Sequence, residues 1–181
     1  DTSRVDDMSF LFRSKTTFNA QIGGWDTSKV KSLYYTFNSA EAFNSPLDWD
    51  TSQVTMECPP STMACPDDMG GTFSHAKSFN QPLAWDTSKV KSMWSTFSGA
   101  KVFNQPLVWD TSKVEMMRNT FSGLVEVEIA FNSDLVWDTS RVTNMVDTFF
   151  RAKVFNKPLV WDTSKVTTME RTFYYLSLIH I

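Results

Sequence analysis

The tripeptide Asp-Thr-Ser recurs seven times along the chain, and this recurrence constrains the fold more than any other feature. A Trp precedes every copy except the first, at Trp25, Trp49, Trp85, Trp109, Trp137 and Trp161. Successive Trp residues are 24, 36, 24, 28 and 24 positions apart, so the unit has 24 residues and two units carry insertions. A fixed period of this length is typical of stacked-repeat proteins, in which no unit buries its apolar face alone.

One unit without insertions, residues 85–108, predicts a helix in its first half. Apolar residues recur there at the spacing of one helical face, at Val90, Met93, Phe97 and Ala100. Residues 86–88 stand just before that face, and Asp, Thr and Ser are all good helix N-caps. Gly99 suits the left-handed turn that commonly ends a helix.

The second half of the unit predicts a short strand. Residues 103–109 are too few for a helix, contain Pro106, and alternate Leu107 with Trp109. Proline is tolerated at the start of a strand where no neighbour needs its missing N–H. Stacked units would place such strands about 4.8 Å apart in a parallel ladder.

The repeat pattern FNxPLxxWDTSxVxxMxxxFxxA resembles that of the BspA-like leucine-rich-repeat surface proteins of bacteria and single-celled eukaryotes. Residues 1–175 carry it as a single repeat array, with one residue fewer between Leu and Trp and often Thr where the family has a second Met. The resemblance implies an α/β fold, a curved leucine-rich-repeat-like solenoid of about seven 24-residue repeats. Parallel short strands would line its concave side and short helices its convex side. It also implies surface display, adhesion or protein binding, a cell-surface or secreted location, and no catalysis.

Two rows of repeated side chains are predicted to be structural. The Trp row could bind sugars if its indoles were exposed, but large aromatic residues at one repeat position favour a shared core. A second row is formed by an Asn after a Phe, and a ladder of amides bonded to backbone groups is favoured over a ligand-binding row. Its members are Asn19, Asn44, Asn80, Asn104, Asn132 and Asn156.

A third row consists of the Asp residues that follow the tryptophans, namely Asp26, Asp50, Asp86, Asp110, Asp138 and Asp162. Calcium is one reading of such a row, but Ca²⁺ takes about six to eight oxygen ligands from flexible loops. Helix capping explains an Asp at this position without a metal. The sequence therefore predicts no metal site and no cofactor.

Composition and the scarcity of catalytic residue types argue against several function classes. The net charge of −3 gives no footprint for nucleic acid, and no apolar run is long enough to insert into a membrane. Only His75 and His180 could support a nucleophile, and Cys58 and Cys65 lack the spacing of zinc ligands. The chain is therefore predicted not to be an enzyme.

Three segments depart from the repeat. Residues 56–67 are predicted to form a loop that bulges from the convex side, and a smaller insertion lies near residues 124–129. Both could mark a binding face or simple drift of the repeat. Residues 176–181 match no repeat position and are predicted to be a non-native tail, with an apolar cap as the alternative. The array is expected to be a fragment that contains neither end caps nor a signal peptide.

The leading functional hypothesis is a non-catalytic interaction or adhesion module that binds a protein or a glycan. A purely structural spacer is the second hypothesis. The third is an ice- or surface-binding solenoid, suggested by a row of threonines, each before a Phe: Thr36, Thr72, Thr96, Thr120, Thr148 and Thr172.

Overall fold

Each repeat unit runs once around a common core and stacks on the next unit, in a computed structural model that describes residues 1–55 and 68–176. Side chains at one repeat position therefore contact each other from unit to unit. The innermost rings show this stacking, since successive ring centroids lie 5.5, 5.6 and 5.7 Å apart along the column Phe37, Phe73, Phe97 and Phe121.

Residues 1–55 and 68–176 contain no helix, and their only β-type pairing consists of isolated bridges. Parallel bridges join Asp7 to Ser32, Ser92 to Met116, Met116 to Asn144, and Asn144 to Thr168. The predicted α/β leucine-rich-repeat-like solenoid is therefore wrong in its elements. Neither a concave sheet of parallel strands nor a convex layer of helices forms in this part of the chain.

The predicted helix is replaced by a series of turns, which we call the turn segment (residues 93–100 in the fourth unit and their equivalents). The N–H groups of Met93, Ser95 and Phe97 donate to carbonyls of the next unit, each at 2.9 Å. The alternate N–H groups, such as that of Thr96, donate to the carbonyl three residues earlier in the same unit. An α-helix needs every N–H to bond four residues back. The helix prediction is wrong because the next unit takes half of these donors.

Two left-handed residues reverse the chain within each turn segment except that of the fifth unit, where only Asn119 has a positive φ. In the fourth unit they are Ser95, with φ of 53°, and Gly99, with φ of 66°. Equivalent positions in other units hold bulky residues, including Tyr35 and Arg151. Such a conformation costs a non-glycine residue about 1–3 kcal/mol and persists only where its surroundings fix it. Bonds to the neighbouring units supply that constraint here.

The predicted strand is an extended segment without a ladder, and we call residues 103–110 and their equivalents the extended segment. Within the described residues, none of the backbone-to-backbone hydrogen bonds involves residues 105–109. Side chains join the units on this side instead, through the Asn and Trp rows described below. The strand prediction is therefore wrong, although its alternation of inward and outward side chains is present.

The core consists of one set of inward side chains per unit. Over one period of the repeat, residues 90–109, every one of them is at most 5% exposed: Val90, Met93, Phe97, Ala100, Phe103, Leu107 and Trp109. Each large apolar side chain buried in this way contributes about 1.5–3 kcal/mol of transfer free energy. Because the same set recurs, the core is continuous through the stack.

The irregular segments are only partly described. Residues 56–67, with Cys58 and Cys65, lie outside the described residues, as do residues 177–181 with His180. In the smaller insertion an antiparallel bridge joins Leu124 to Val127. Leu176, the first residue of the predicted non-native tail, packs partly buried against the core. None of the residues that the structure places forms a helix long and apolar enough to cross a lipid bilayer.

Candidate functional site

The tryptophan row lies inside the stack. Trp49, Trp85, Trp109 and Trp137 are 4–5% exposed, and their nearly parallel rings are 6.3–6.4 Å apart. The indole N–H of each donates to a carbonyl of the preceding extended segment at 3.0–3.3 Å. Trp25 and Trp161, the outer members, are partly buried against the same core. The inner indole faces are covered by one another, which leaves them unable to stack on a sugar.

The asparagine row forms a ladder along the extended segments. The Oδ1 atom of each Asn except the last accepts the backbone N–H of the equivalent Asn in the next unit, at 2.7–2.9 Å. The five bonds join Asn19, Asn44, Asn80, Asn104, Asn132 and Asn156 in order. These amides satisfy backbone donors that a β-ladder would otherwise pair.

The aspartate row caps turns, and the predicted helix capping is wrong because no helix follows in the described residues. In each of Asp26, Asp50, Asp86, Asp110, Asp138 and Asp162, Oδ1 accepts the N–H of the Ser two positions later, at 2.8–3.1 Å. The Ser hydroxyl, followed by its N–H, holds the pKa of Asp26, Asp110, Asp138 and Asp162 below the usual value. For Asp86 the backbone N–H is the larger cause of the lowered pKa.

The threonine row considered for ice binding points inward. Its six members are 0–2% exposed. Their hydroxyls donate to backbone carbonyls, as when Thr120 Oγ1 donates to Met93 at 3.0 Å and to Met117 at 2.7 Å. An ice-binding row needs its hydroxyls at the surface, so this row does not support that hypothesis.

Asp68 is a buried structural carboxylate that the repeat pattern does not reveal. It is 0% exposed, and its oxygens accept the N–H groups of Lys91 and Ser92 at 2.6 and 3.0 Å. In the following units the N–H equivalent to that of Lys91 bonds a backbone carbonyl of the preceding unit, as Glu115 bonds Lys91 at 2.8 Å. Asp68 thus restores the link between units after the insertion. In the sequence, only the position of Asp68 directly after the insertion could have indicated this role.

His75 is the one histidine among residues 1–55 and 68–176. Its Nδ1 atom lies 2.8 Å from Ser74 Oγ. Burial, followed by the charge of Lys77, lowers the pKa of His75. Ser74 is 4% exposed, so this hydroxyl has little access to a substrate. The pair is better explained as packing within the turn segment than as a nucleophile with its base.

An apolar stripe runs along the outer side of the extended segments. Val108, Val136 and Val160 occupy one repeat position and are 93–94% exposed. Ala84 continues this row in the third unit, and Asp48 replaces it in the second. We define the apolar stripe as these four apolar residues with the prolines beside them, Pro82, Pro106 and Pro158. Strand-like alternation could have found it, because Leu107 and Trp109 point inward on either side of Val108.

Shallow hollows separate successive members of the apolar stripe. One lies between Ala84 and Val108, with Leu83, Trp85 and Pro106 in its walls. The next lies between Val108 and Val136, and a third between Val136 and Val160. Projections and hollows therefore alternate once per unit along the stack.

A separate depression lies beside Trp94, the one Trp outside the repeat row. Its lining combines the partly exposed indole and the apolar Met116 with the polar side chains of Arg118, Asn119 and Asn144. Trp94 also stacks against Tyr34, with centroids 6.4 Å apart. No carboxylate of the described residues lies within 4.0 Å of the Arg118 guanidinium. Trp94 lies outside the repeat row, so the repeat pattern indicates no functional role for it.

Comparison with known proteins yields one family. The family model described as "Mycoplasma protein of unknown function, DUF285" matches residues 1–58, 66–127 and 108–179. No curated protein and no solved structure matches the chain. The three matched segments in tandem agree with the internal repeat found in the sequence.

Proposed function

The chain belongs to the DUF285 family, whose function is unknown, and from this premise we propose that it is a non-catalytic interaction module of a cell-surface or secreted repeat protein. The apolar stripe is the observation that carries the proposal. Its partner in this proposal is a protein with an apolar surface. The resemblance to BspA-like surface proteins supports the location.

The apolar stripe supports binding because its exposed apolar residues recur from unit to unit; beside Val136 it is interrupted by Asp134, which stands where the neighbouring units have a proline and lies 3.4 Å from Lys157. Scattered exposed apolar residues are ordinary on a soluble protein, whereas an extended apolar patch marks an interaction site. Val108 and Val136 lie in consecutive units and remain exposed although their neighbours Leu107 and Leu135 are buried. Covering one such valine releases about 1.5–3 kcal/mol of transfer free energy.

Selection from a phage-displayed library of random peptides tests this proposal. We expect the chain to enrich apolar peptides that lose binding when Val108, Val136 and Val160 are all replaced by Ser. The matched control replaces Val102, Val125 and Val154 by Ser, since these valines are also exposed but lie outside the apolar stripe. Selection that enriches no peptide, or peptides that bind the stripe variant equally well, would contradict the proposal.

A glycan-binding module is the second candidate, and the depression beside Trp94 favours it. An exposed indole can stack on a sugar ring, while Arg118, Asn119 and Asn144 can hydrogen-bond its hydroxyl or carboxylate groups. A glycan array probed with the chain and with Trp94→Ala tests this candidate. Glycan binding that disappears in Trp94→Ala supports it. An array without signal, or a signal that Trp94→Ala leaves unchanged, counts against it.

A further inference from the structure

Hydrogen-bond donors predominate in the depression beside Trp94. The Arg118 guanidinium carries only donors, and neither it nor the Trp94 indole N–H bonds an acceptor of the described residues. The Asn144 Oδ1 atom accepts the N–H of Val146 at 3.0 Å, so the NH₂ group of this amide is the part left for a ligand. None of the residues that line the depression is acidic. A carboxylate only accepts hydrogen bonds, whereas a sugar hydroxyl both donates and accepts, so this lining favours a carboxylate.

A second arginine of the turn segments shows what Arg118 lacks. The Nε and Nη2 atoms of Arg171 each donate to the Asp147 carboxylate at 2.8 Å, and Glu170 lies 3.9 Å away. Arg118 has no carboxylate within 4.0 Å in the part of the chain that the structure describes. The planar fork of a guanidinium matches a carboxylate with two parallel hydrogen bonds. The Arg118 fork is therefore open to a carboxylate from another molecule.

Two tyrosines hold Trp94 on the side away from the depression. The Trp94 ring centroid lies 6.4 Å from that of Tyr34 and 5.7 Å from that of Tyr35. Both tyrosines belong to the second unit and reach Trp94 across the third, where Gly70 and Gly71 stand at the equivalent positions without side chains. An aromatic wall fixed in this way loses little further freedom when a ligand packs against it.

We propose that the depression beside Trp94 binds a sugar that carries a carboxylate, such as a hexuronic acid. The indole packs against the apolar face of the sugar ring, the Arg118 guanidinium binds the carboxylate, and Asn119 and Asn144 bond the remaining oxygens. The depression has a volume of about 340 Å³, at the lower end of the range for ligand pockets, about 300–1,000 Å³, which suits a small group. This inference rests on the second candidate function, glycan binding, and names the class of glycan.

A glycan array in which each carboxylate-bearing oligosaccharide is printed beside its methyl ester tests the inference, because the ester keeps the ring and removes the charge. The chain should bind acidic members at least about tenfold more strongly than their esters, and added salt should weaken this binding. Arg118→Gln should lose at least about tenfold in binding to the acidic members, because it removes the charged fork. Arg141→Gln is the matched control, since Arg141 is exposed and lies outside the depression, and it should bind like the unmodified chain. Matching thermal unfolding of the three proteins shows that none has misfolded.

Several outcomes would overturn the inference. They are equal binding of the acidic members and their esters, binding of sulfated sugars alone, and acidic binding that Arg118→Gln retains. Neutral sugars bound in a manner that requires Trp94 would also overturn it, while the glycan-binding candidate would stand. An array without any signal would overturn both. The protein-binding proposal is tested apart from these, because the variant with Val108, Val136 and Val160 replaced by Ser leaves the depression intact.

Discussion

The turn segments and the extended segments join neighbouring units by different means. In the turn segment, backbone donors such as those of Ser95 and Phe97 bond carbonyls of the next unit. In the extended segment the bonds come from side chains, such as the Asn104 Oδ1 that accepts the N–H of Asn132. One side of the stack is therefore joined by backbone hydrogen bonds, and the other side is joined by hydrogen bonds from repeated Asn and Trp side chains.

This difference explains where sequence variation is tolerated. Bonds from the backbone do not depend on side-chain identity, so the left-handed positions hold residues as different as Tyr35, Ser95 and Arg151. Bonds from side chains require an Asn and a Trp at fixed positions, which is why the sequence repeat is most regular along the extended segments. The regular side also carries the apolar stripe.

The largest expected effect on stability comes from replacing a core ring that packs between the turn segments and the extended segments. Phe97→Ala should lower the free energy of unfolding by about 3–5 kcal/mol, because Phe97 is 2% exposed and contacts rings of both neighbouring units. Urea unfolding measures this loss. Val108→Ala is the matched control on the outer side and should change stability by less than about 0.5 kcal/mol. Equal losses in the two variants would show that the stacked core is wrong.

Two glycines, one in a turn segment and one in an extended segment, allow the packing of the two kinds of segment to be compared. A Cβ on Gly71, in the turn segment, would lie 2.5 Å from the Tyr35 ring, and its φ is 61°. Gly24, in an extended segment, has nothing within 4 Å of its Cβ position. Gly71→Ala should therefore cost about 1–3 kcal/mol, and Gly24→Ala should be close to neutral. Thermal unfolding compares them, and a Gly71→Ala protein as stable as Gly24→Ala would refute the close packing of Tyr35.

A smaller loss is expected when one amide is removed from the ladder. Asn104→Ala leaves the N–H of Asn132 without its acceptor, and an unpaired, half-buried donor costs about 1 kcal/mol. Gln105→Ala is the control, because the Gln105 amide only donates to Asn80 and leaves the backbone bonds intact. Amide hydrogen exchange at Asn132 should accelerate in Asn104→Ala. Unchanged exchange at that amide would argue against the ladder.

The smallest effect is a dependence of stability on pH. Hydrogen bonds from Ser112 lower the folded-state pKa of Asp110, so this carboxylate stabilises the folded chain above its unfolded pKa of about 3.9. That contribution is lost as the pH falls through the folded pKa. Urea unfolding between neutral pH and pH of about 2 should show this loss. Asp110→Asn should show a smaller loss, and an equal acid dependence in both proteins would contradict the assignment.

The period, the inward residues and the asparagine row could be predicted from the sequence, whereas the secondary structure could not. The spacing of Val90, Met93, Phe97 and Ala100 fits one face of a helix, but it also fits turns that return one residue to the core every three or four positions. Which of the two forms depends on where the N–H groups bond, and those partners belong to other units. Gly99 was predicted to end a helix, yet it is one of two left-handed residues in its unit.

The candidate surfaces were less predictable than the core. The exposure of Val108 follows from the alternation of Leu107 and Trp109, but apolar residues in a predicted strand do not by themselves indicate a surface. The depression beside Trp94 combines side chains from three units, and no pattern within one unit reveals it. The structural role of Asp68 could not be predicted, because it depends on a hydrogen bond that joins two units after the insertion.

The central claim is that the first half of each unit is held by bonds between units and not by a helix. Nuclear magnetic resonance can measure the scalar coupling that passes through a hydrogen bond from a backbone nitrogen to a carbonyl carbon. The structure predicts a coupling between the nitrogen of Phe97 and the carbonyl of Thr120 in the next unit, which are joined by a bond of 2.9 Å. A coupling between Phe97 and the carbonyl of Met93, four residues back in the same unit, would establish a helix and contradict the account.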